Sequence, residues 1–196
     1  MRKKKYTFRS IVEKTFFFCH IFFFQNMDLF TFFCFLNIIV WVMWPALLNY
    51  FDTKFYHDLR KCVGCLSPPG IVFPIVWIPL YAAISVSGCY HILSASSSSL
   101  TVLWISTMSL YIANITLNHR WPNLFFKQKR FWHAFINISI VFASAVAVEV
   151  LYAIDGHWTS FWWYLAYPIW LAYALFLNGA WASKCKEVTK PLAKKK

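Results

Sequence analysis

Residues 71–93 have the sequence IVFPIVWIPLYAAISVSGCYHIL and contain no Asp, Glu, Lys or Arg. A helix of about 20 apolar residues crosses the roughly 30 Å hydrocarbon core of a bilayer, so this stretch predicts a membrane span. Pro74 and Pro79 lie inside it, and a span tolerates proline where neighbouring helices satisfy the freed backbone groups. We therefore expect a kinked transmembrane helix here.

Four other stretches of the chain have the same character. Residues 29–51, 100–118 and 131–148 are long and almost free of charge, and a further span is expected within residues 156–183. The connections between them are too short to hold a soluble domain. The sequence therefore predicts an all-α polytopic membrane protein. Its five-transmembrane-helix bundle occupies residues 28–184 and is followed by a basic C-terminal tail, residues 185–196.

The composition supports a protein whose partner is the lipid bilayer. Apolar residues make up 60% of the 196 positions and charged residues only 13%, against about 25% charged residues in soluble domains. This excludes soluble, disordered and collagen-like chains. The net charge of +12 is carried at the ends and between the apolar runs. That placement is typical of span flanks near anionic lipid, and it argues against a nucleic-acid partner.

The basic residues also predict an orientation. With five crossings, 6 Lys and Arg lie on the side of the N-terminus, and 13 lie on the side of the first connection, the third connection and the C-terminal tail. The positive-inside rule then places the C-terminal tail in the cytosol. The sequence does not identify the membrane.

Residues 1–27 form a basic, Phe-rich N-terminal extension. Its apolar core, residues 15–24, is too short to span a bilayer and is followed by no small-residue cleavage site of a secretory signal. We favour an interfacial helix leading into the first span. An organelle-targeting segment, and translation that begins at Met27, are the alternatives.

Cys62 and Cys65 are the only cysteines with motif spacing, Cys-Val-Gly-Cys. A structural zinc site needs a second pair or histidine ligands, and His57 is the one nearby candidate. Covalent haem attachment needs His directly after the second Cys, where this chain has Leu66. We interpret the two cysteines as an incidental loop pair, with a metal or redox role as the less favoured alternative, and predict no metal site.

Catalytic motifs are not visible in the sequence. It contains no Gly-x-Ser-x-Gly, no glycine-rich phosphate loop and no His-Glu-x-x-His, which disfavours hydrolysis and phosphoryl transfer. Glu149 and Asp155 are interpreted as residues at span ends. Ion-coupled transport is disfavoured because no carboxylate is then expected inside a span.

Amides and indoles inside the predicted spans are the strongest candidates for a site. Asn114 and Asn118 are one helical turn apart, and Trp121 follows three residues later, so the three share a face. Buried amides in hydrocarbon need partners, which makes helix–helix contact the simpler interpretation and a pocket wall the alternative. Trp77 and Trp170 present flat faces on which a planar apolar ligand could stack, but from their chemistry alone core packing is the favoured interpretation.

Three segments together resemble one known family. The segments are residues 68–82, PPGIVFPIVWIPLYA; residues 117–126, LNHRWPNLFF; and the stretch from Tyr167 to Trp170 continuing through Leu177-Asn178. They are similar in order and spacing to motifs of the translocator proteins, also called tryptophan-rich sensory proteins or the TspO/MBR family. Phe55-Tyr56 with Leu59 and Lys61 resembles the family's run before the two prolines. At the position where the family has Lys-Pro, this chain differs and has Lys61-Cys62.

The resemblance implies a five-helix homodimeric receptor with a cavity closed by the first connection. Its ligands would be porphyrin, haem and similar apolar molecules, bound in ligand transport or stress sensing, with no tightly bound cofactor. The positions that match the family's ligand pocket are Tyr56, Pro68, Phe73, Trp77, Tyr81, Asn114, Asn118, Trp121, Trp170 and Ala174.

Three further expectations combine the resemblance with the chemistry of individual residues. Trp77 and Trp170 would hold a porphyrin between them, and Arg60 and Lys61 would contact its carboxylates. The alternative function is enzymatic, a light- and oxygen-dependent porphyrin breakdown that uses these two indoles. Sterol binding is disfavoured, because the first basic residue after Tyr173 is Lys184.

Overall fold

The structure is a computed structural model that describes residues 29–39, 52–94 and 101–185. These residues form helices and no strand, which confirms the all-α prediction for the described ranges. A 3₁₀ turn, Gly64–Leu66, and a π-helical turn, Asn123–Lys127, complete the elements. The α-helices are α1 (Leu29–Ile38), α2 (Thr53–Val63), α3 (Val72–Leu93), α4 (Val102–Pro122), α5 (Phe131–Ile154), α6 (Trp158–Tyr164) and α7 (Ala166–Lys184). The extension 1–27 and tail residues 186–196 lie outside the described residues.

Among the described residues, three helical segments are long and apolar enough to cross a membrane. They are α3, α5 and the continuous stretch Trp158–Lys184, which contains α6 and α7. Helix α4 coincides with the third predicted span and has 21 residues, but its polar and basic side chains make it less apolar. The first predicted span begins as α1, and residues 40–51 lie outside the described ranges. The membrane prediction is thus supported, while the count of five spans stays a prediction.

Helix α5 is longer than the sequence predicted. It continues six residues past position 148 and ends at Asp155-Gly156, where Gly156 adopts φ 72°. Glycine reaches this left-handed conformation without the steric cost of a Cβ, which explains why the helix stops there. Glu149 therefore lies inside the helix and is buried, so the interpretation of Glu149 as a span-end residue is wrong.

Most of the packing between the described helices involves α5 or α3. Helix α5 lies against both α4 and α7, while α3 packs against α1 and α6. Buried side chains form two clusters, one around Leu59, Phe125 and Trp181 and one around Ile138 and Tyr167. Large apolar side chains on the outer faces of α3 to α7 are exposed, as lipid-facing residues are.

The connection between the first two predicted spans folds into a short structured segment. It comprises α2, the 3₁₀ turn and Ser67 to Gly70, and we call residues 53–70 the lid. The Asp52 carboxylate accepts a hydrogen bond from the Phe55 amide at 2.9 Å and so caps α2. The apolar face of α2 packs on α7.

A disulfide joins the lid to the last helix. Cys62 at the end of α2 is bonded to Cys185 just after α7, with 5.9 Å between the Cα atoms. Cys65 is free and exposed. The interpretation of Cys62 and Cys65 as an incidental pair is therefore wrong for Cys62, whose partner lies 123 residues away in sequence.

Candidate functional site

A small buried cavity lies between α3, α4, α5 and α7. Its volume is about 20 Å³, enough for a single water molecule and far below the roughly 300–1,000 Å³ of pockets that hold small organic ligands. The pocket in this conformation is therefore too small for such a ligand. The lining residues are Phe73, Trp77, Trp121, Ile138, Trp170, Tyr173, Ala174, Leu177, Asn178 and Trp181.

One face of α7 supplies most of this lining. Its six residues lie at positions 170, 173, 174, 177, 178 and 181, which is the spacing of a single helix face. Trp170 and Ala174 are among the residues predicted from the sequence, whereas Tyr173, Leu177, Asn178 and Trp181 are not. Extending the same periodicity along the helix would have found them. Ile138 of α5 was also missed and has no comparable signal.

Trp77 and Trp170 meet in the cavity at right angles. Their ring centroids are 6.4 Å apart and the planes form an angle of 88°. Trp77 is stacked instead on Tyr81, at 5.0 Å and 28°. Holding a flat ring between two parallel faces needs about 7 Å between those faces, twice a carbon–carbon contact distance. Trp77 and Trp170 reach that arrangement only after one of the indoles rotates.

Two indole N–H groups of the lining have no hydrogen-bond partner among the described residues. They are Nε1 of Trp170 and Nε1 of Trp181, and both atoms are buried. Trp121 differs, because its Nε1 donates to Asn178 Oδ1 at 3.0 Å. A buried donor without an acceptor costs about 1–3 kcal/mol, which an acceptor atom on a ligand would recover. The apolar pocket thus has two unused donors.

A chain of hydrogen bonds runs beside the cavity. Tyr81 Oη donates to Asn118 Oδ1 at 3.2 Å, and Asn118 Nδ2 donates to Tyr167 Oη at 2.8 Å. Tyr167 Oη donates to Asn114 Oδ1 at 2.9 Å, and Asn114 Nδ2 donates to the Val141 carbonyl at 2.8 Å. The chain connects α3, α4, α7 and α5. Asn114, Asn118 and Tyr81 therefore hold the helices together next to the pocket, and only Trp121 of the predicted face lines it.

Tyr56 and Pro68 belong to the lid. Tyr56 Oη donates to the Pro68 carbonyl at 2.5 Å and shares a hydrogen bond with Ser67 Oγ at 2.8 Å. Its ring packs edge-on against Phe73 with centroids 5.3 Å apart. Burial raises the pKa of Tyr56 above its ordinary value of 10.0, so the hydroxyl stays a donor at neutral pH. Tyr173 Oη donates to the Leu66 carbonyl at 3.0 Å and fixes the lid to α7.

Arg60 and Lys61 are exposed on α2 and do not line the closed cavity. Arg60 Nε donates to the Ser67 carbonyl at 3.2 Å, so its side chain supports the lid. Lys61 Nζ lies 3.9 Å from Asp58 Oδ1 in an exposed pair of little energetic weight. Contact between these residues and ligand carboxylates stays a prediction.

The residues of this site lie in a segment that is similar to known proteins. Residues 38–182 match the TspO/MBR family. The chain is also 30% identical over 124 residues to Protein CrtK of Rhodobacter capsulatus, in an alignment that covers 63% of this chain and 73% of that protein. The family match includes the lid, the cavity lining and the hydrogen-bond chain. This membrane protein belongs to the TspO/MBR family.

Proposed function

We propose that this protein is a receptor that binds tetrapyrroles, such as porphyrin and haem, and similar flat apolar ligands in the cavity between α3, α4, α5 and α7. The observation that carries the proposal is the convergence of four tryptophans on one buried site, with two of their N–H groups unused. They are Trp77, Trp121, Trp170 and Trp181. Membership of the TspO/MBR family supports the same ligand class.

The chemistry of the lining matches the parts of such a ligand. The wide apolar surface of a tetrapyrrole would stack on Trp77 and Trp170. The unused N–H groups of Trp170 and Trp181 would donate to an acceptor on the ligand. Its carboxylates would remain near water, within reach of Arg60 or Lys61 on the lid.

The closed cavity requires that binding be accompanied by movement. A volume of about 20 Å³ excludes a tetrapyrrole, so the lid must separate from α7 and the indoles must rotate. Opening would break the hydrogen bond from Tyr173 of α7 to the Leu66 carbonyl of the lid, worth about 0.5–1.5 kcal/mol. The disulfide at Cys62 would keep the end of α2 attached to α7. Lid opening therefore sets the rates of ligand entry and release.

We extend the proposal to the membrane arrangement. Helices α1 and α4 would join the three apolar segments to give five spans, with the C-terminal tail in the cytosol. Ser109 and Ala113 of α4 and Ala143 of α5 are small and exposed, as close helix approach between two copies would require. The homodimer remains a prediction that rests on the family resemblance.

The test is a titration of the purified protein with protoporphyrin IX in the dark, followed by quenching of tryptophan fluorescence. We compare the native protein with Trp121→Phe/Trp170→Phe and with a matched control, Trp158→Phe/Trp162→Phe. The control indoles lie on α6 and are 55% and 65% exposed. We expect saturable quenching in the native protein and the control, and at least tenfold weaker binding in the pocket variant. Equal, non-saturating quenching in all three would show partitioning into micelles and refute the proposal.

A further inference from the structure

A second group of reactive side chains lies at the end of α3 remote from the lid. His91 is in the last turns of α3, and Asp155 and His157 are in the turn between α5 and α6. One nitrogen or oxygen donor atom from each residue lies within 4.8 Å of the other two. Eighteen residues separate Phe73 from His91, about 27 Å along the helix axis, so this group is separate from the pocket.

His91 is a buried imidazole near the end of α3. Its side chain is 0% exposed, and neither ring nitrogen has a partner among the described residues. The ring is held on several sides. It stacks on Trp104 at 5.4 Å, and its centroid lies 5.2 Å from Tyr152 and 5.0 Å from His157. Buried ring nitrogens that lack a partner in this part of the structure can be satisfied by a bound ligand or ion.

Asp155 and His157 form the accessible part of the group. Asp155 Oδ2 lies 2.9 Å from His157 Nε2, and their side chains are 21% and 25% exposed. Ser94 Oγ lies 3.4 Å from the same nitrogen. Gly156, with φ 72°, reverses the chain between them. The Asp155 carboxylate and the His157 imidazole interact with each other, and neither gives a hydrogen bond to the His91 ring.

We propose that His91, Asp155 and His157 bind a divalent transition-metal ion, for which Zn²⁺ is the best match. Two imidazole nitrogens and one carboxylate oxygen are donors that zinc accepts in tetrahedral sites with water as the fourth ligand. Mg²⁺ and Ca²⁺ prefer sites made of oxygen alone. Metal–ligand bonds of 2.0–2.2 Å place tetrahedral donors about 3.3 Å apart, so the donors must approach by up to about 1.5 Å.

The turn at positions 155–157 is the element that would provide this approach, because its two side chains are partly exposed while His91 is fixed by its aromatic neighbours. The bound ion would connect the end of α3 to the α5–α6 turn, across 64 residues of sequence between His91 and Asp155. It would thus stabilise the end of the helix bundle opposite the pocket. The site does not depend on tetrapyrrole binding.

The test uses the full chain in detergent, freed of metal with a chelator, in a Cys65→Ser background that removes the exposed thiol. Bound zinc is counted by elemental analysis after gel filtration, and Co²⁺ replaces Zn²⁺ for absorption spectra. We expect one zinc per chain and a cobalt spectrum without the intense thiolate charge-transfer band. We also expect a thermal midpoint that rises by several degrees with zinc.

Variants locate the ligands. His157→Ala and Asp155→Asn each change a partly exposed turn residue, and each should weaken zinc binding at least tenfold and abolish the thermal shift. The matched control His57→Ala/His133→Ala removes two exposed imidazoles elsewhere and should change neither. The proposal is overturned if zinc fails to bind stoichiometrically. It is equally overturned if both turn variants bind as the native protein does, or if the His57/His133 control loses the metal.

Discussion

The hydrogen-bond chain beside the pocket predicts opposite behaviour for two neighbouring tyrosines. Tyr164 and Tyr167 are both 0% exposed, and their rings touch with centroids 5.3 Å apart. Tyr167 Oη accepts from Asn118 and donates to Asn114. The hydroxyl of Tyr164 has no hydrogen-bond partner in the described part of the chain. Replacing each tyrosine by phenylalanine removes one hydroxyl group from a fully buried ring, so the two variants differ mainly in the hydrogen bonds that are lost.

The magnitude follows from the bonds that are lost. Tyr167→Phe removes two interhelical hydrogen bonds, each worth about 0.6 kcal/mol on average and up to about 1.7 kcal/mol within membranes. The substitution also leaves the Asn118 amide N–H and the Asn114 amide oxygen without this partner. The total loss in the free energy of unfolding is therefore about 2–3 kcal/mol. Tyr164→Phe removes an unpaired polar atom, so we expect no loss of stability and a gain of up to about 1 kcal/mol.

The assay is equilibrium unfolding in mixed micelles, in which the fraction of a denaturing detergent is raised and unfolding is followed by near-ultraviolet circular dichroism. The difference between the two variants in the free energy of unfolding should be about 2–4 kcal/mol, with Tyr167→Phe the less stable. If the two variants unfold together, or if Tyr164→Phe is the weaker protein, the hydrogen-bond chain does not stabilise the bundle and the reasoning fails.

Three other changes test the helix contacts and the lid. Gly88→Ala places a Cβ 2.5 Å from Tyr111 Oη and 2.9 Å from Asn37 Nδ2, so it should separate α1 from α3 and lower stability by about 1–3 kcal/mol in the same unfolding assay. Cys62→Ser/Cys185→Ser removes a cross-link over 123 residues, worth up to about 4.9 kcal/mol by loop entropy, and should accelerate ligand release in stopped-flow fluorescence. Alkylation of both cysteines in the unreduced protein, seen by mass spectrometry, would instead mean that the disulfide is not formed. Tyr173→Phe removes the hydrogen bond that joins α7 to the Leu66 carbonyl of the lid, so porphyrin should associate and dissociate several-fold faster, and unchanged rates would show that this bond does not hold the lid closed.

Much of this architecture is local in sequence and could be predicted. Hydropathy located the apolar segments, because a bilayer imposes a minimum length on every spanning helix. Phe73, Trp77, Trp121, Trp170 and Ala174 line one cavity, while their role in ligand binding stays a prediction. The remaining four lining residues of α7 follow the same helical spacing, so the periodicity of this helix is enough to predict them.

The features that sequence reasoning missed depend on contacts between distant residues. Cys62 has its motif neighbour at position 65, yet the fold brings Cys185 to it. His91 and His157 are 66 positions apart, and no spacing rule connects them. The disulfide also opposes the predicted orientation, because disulfides are rare in the cytosol, where the positive-inside rule places this end of the bundle. The orientation therefore stays a prediction.

The most direct test of the proposed ligand pocket is a map of tryptophan oxidation by bound protoporphyrin IX under brief illumination, read by mass spectrometry at one porphyrin per chain. An excited porphyrin oxidises the indoles nearest to it, so the map reports where the ligand lies. Our account predicts oxidation first at Trp77, Trp121, Trp170 and Trp181, suppressed by excess non-photoactive haem. Oxidation first at the exposed Trp132, Trp158 and Trp162, unaffected by haem, would contradict it.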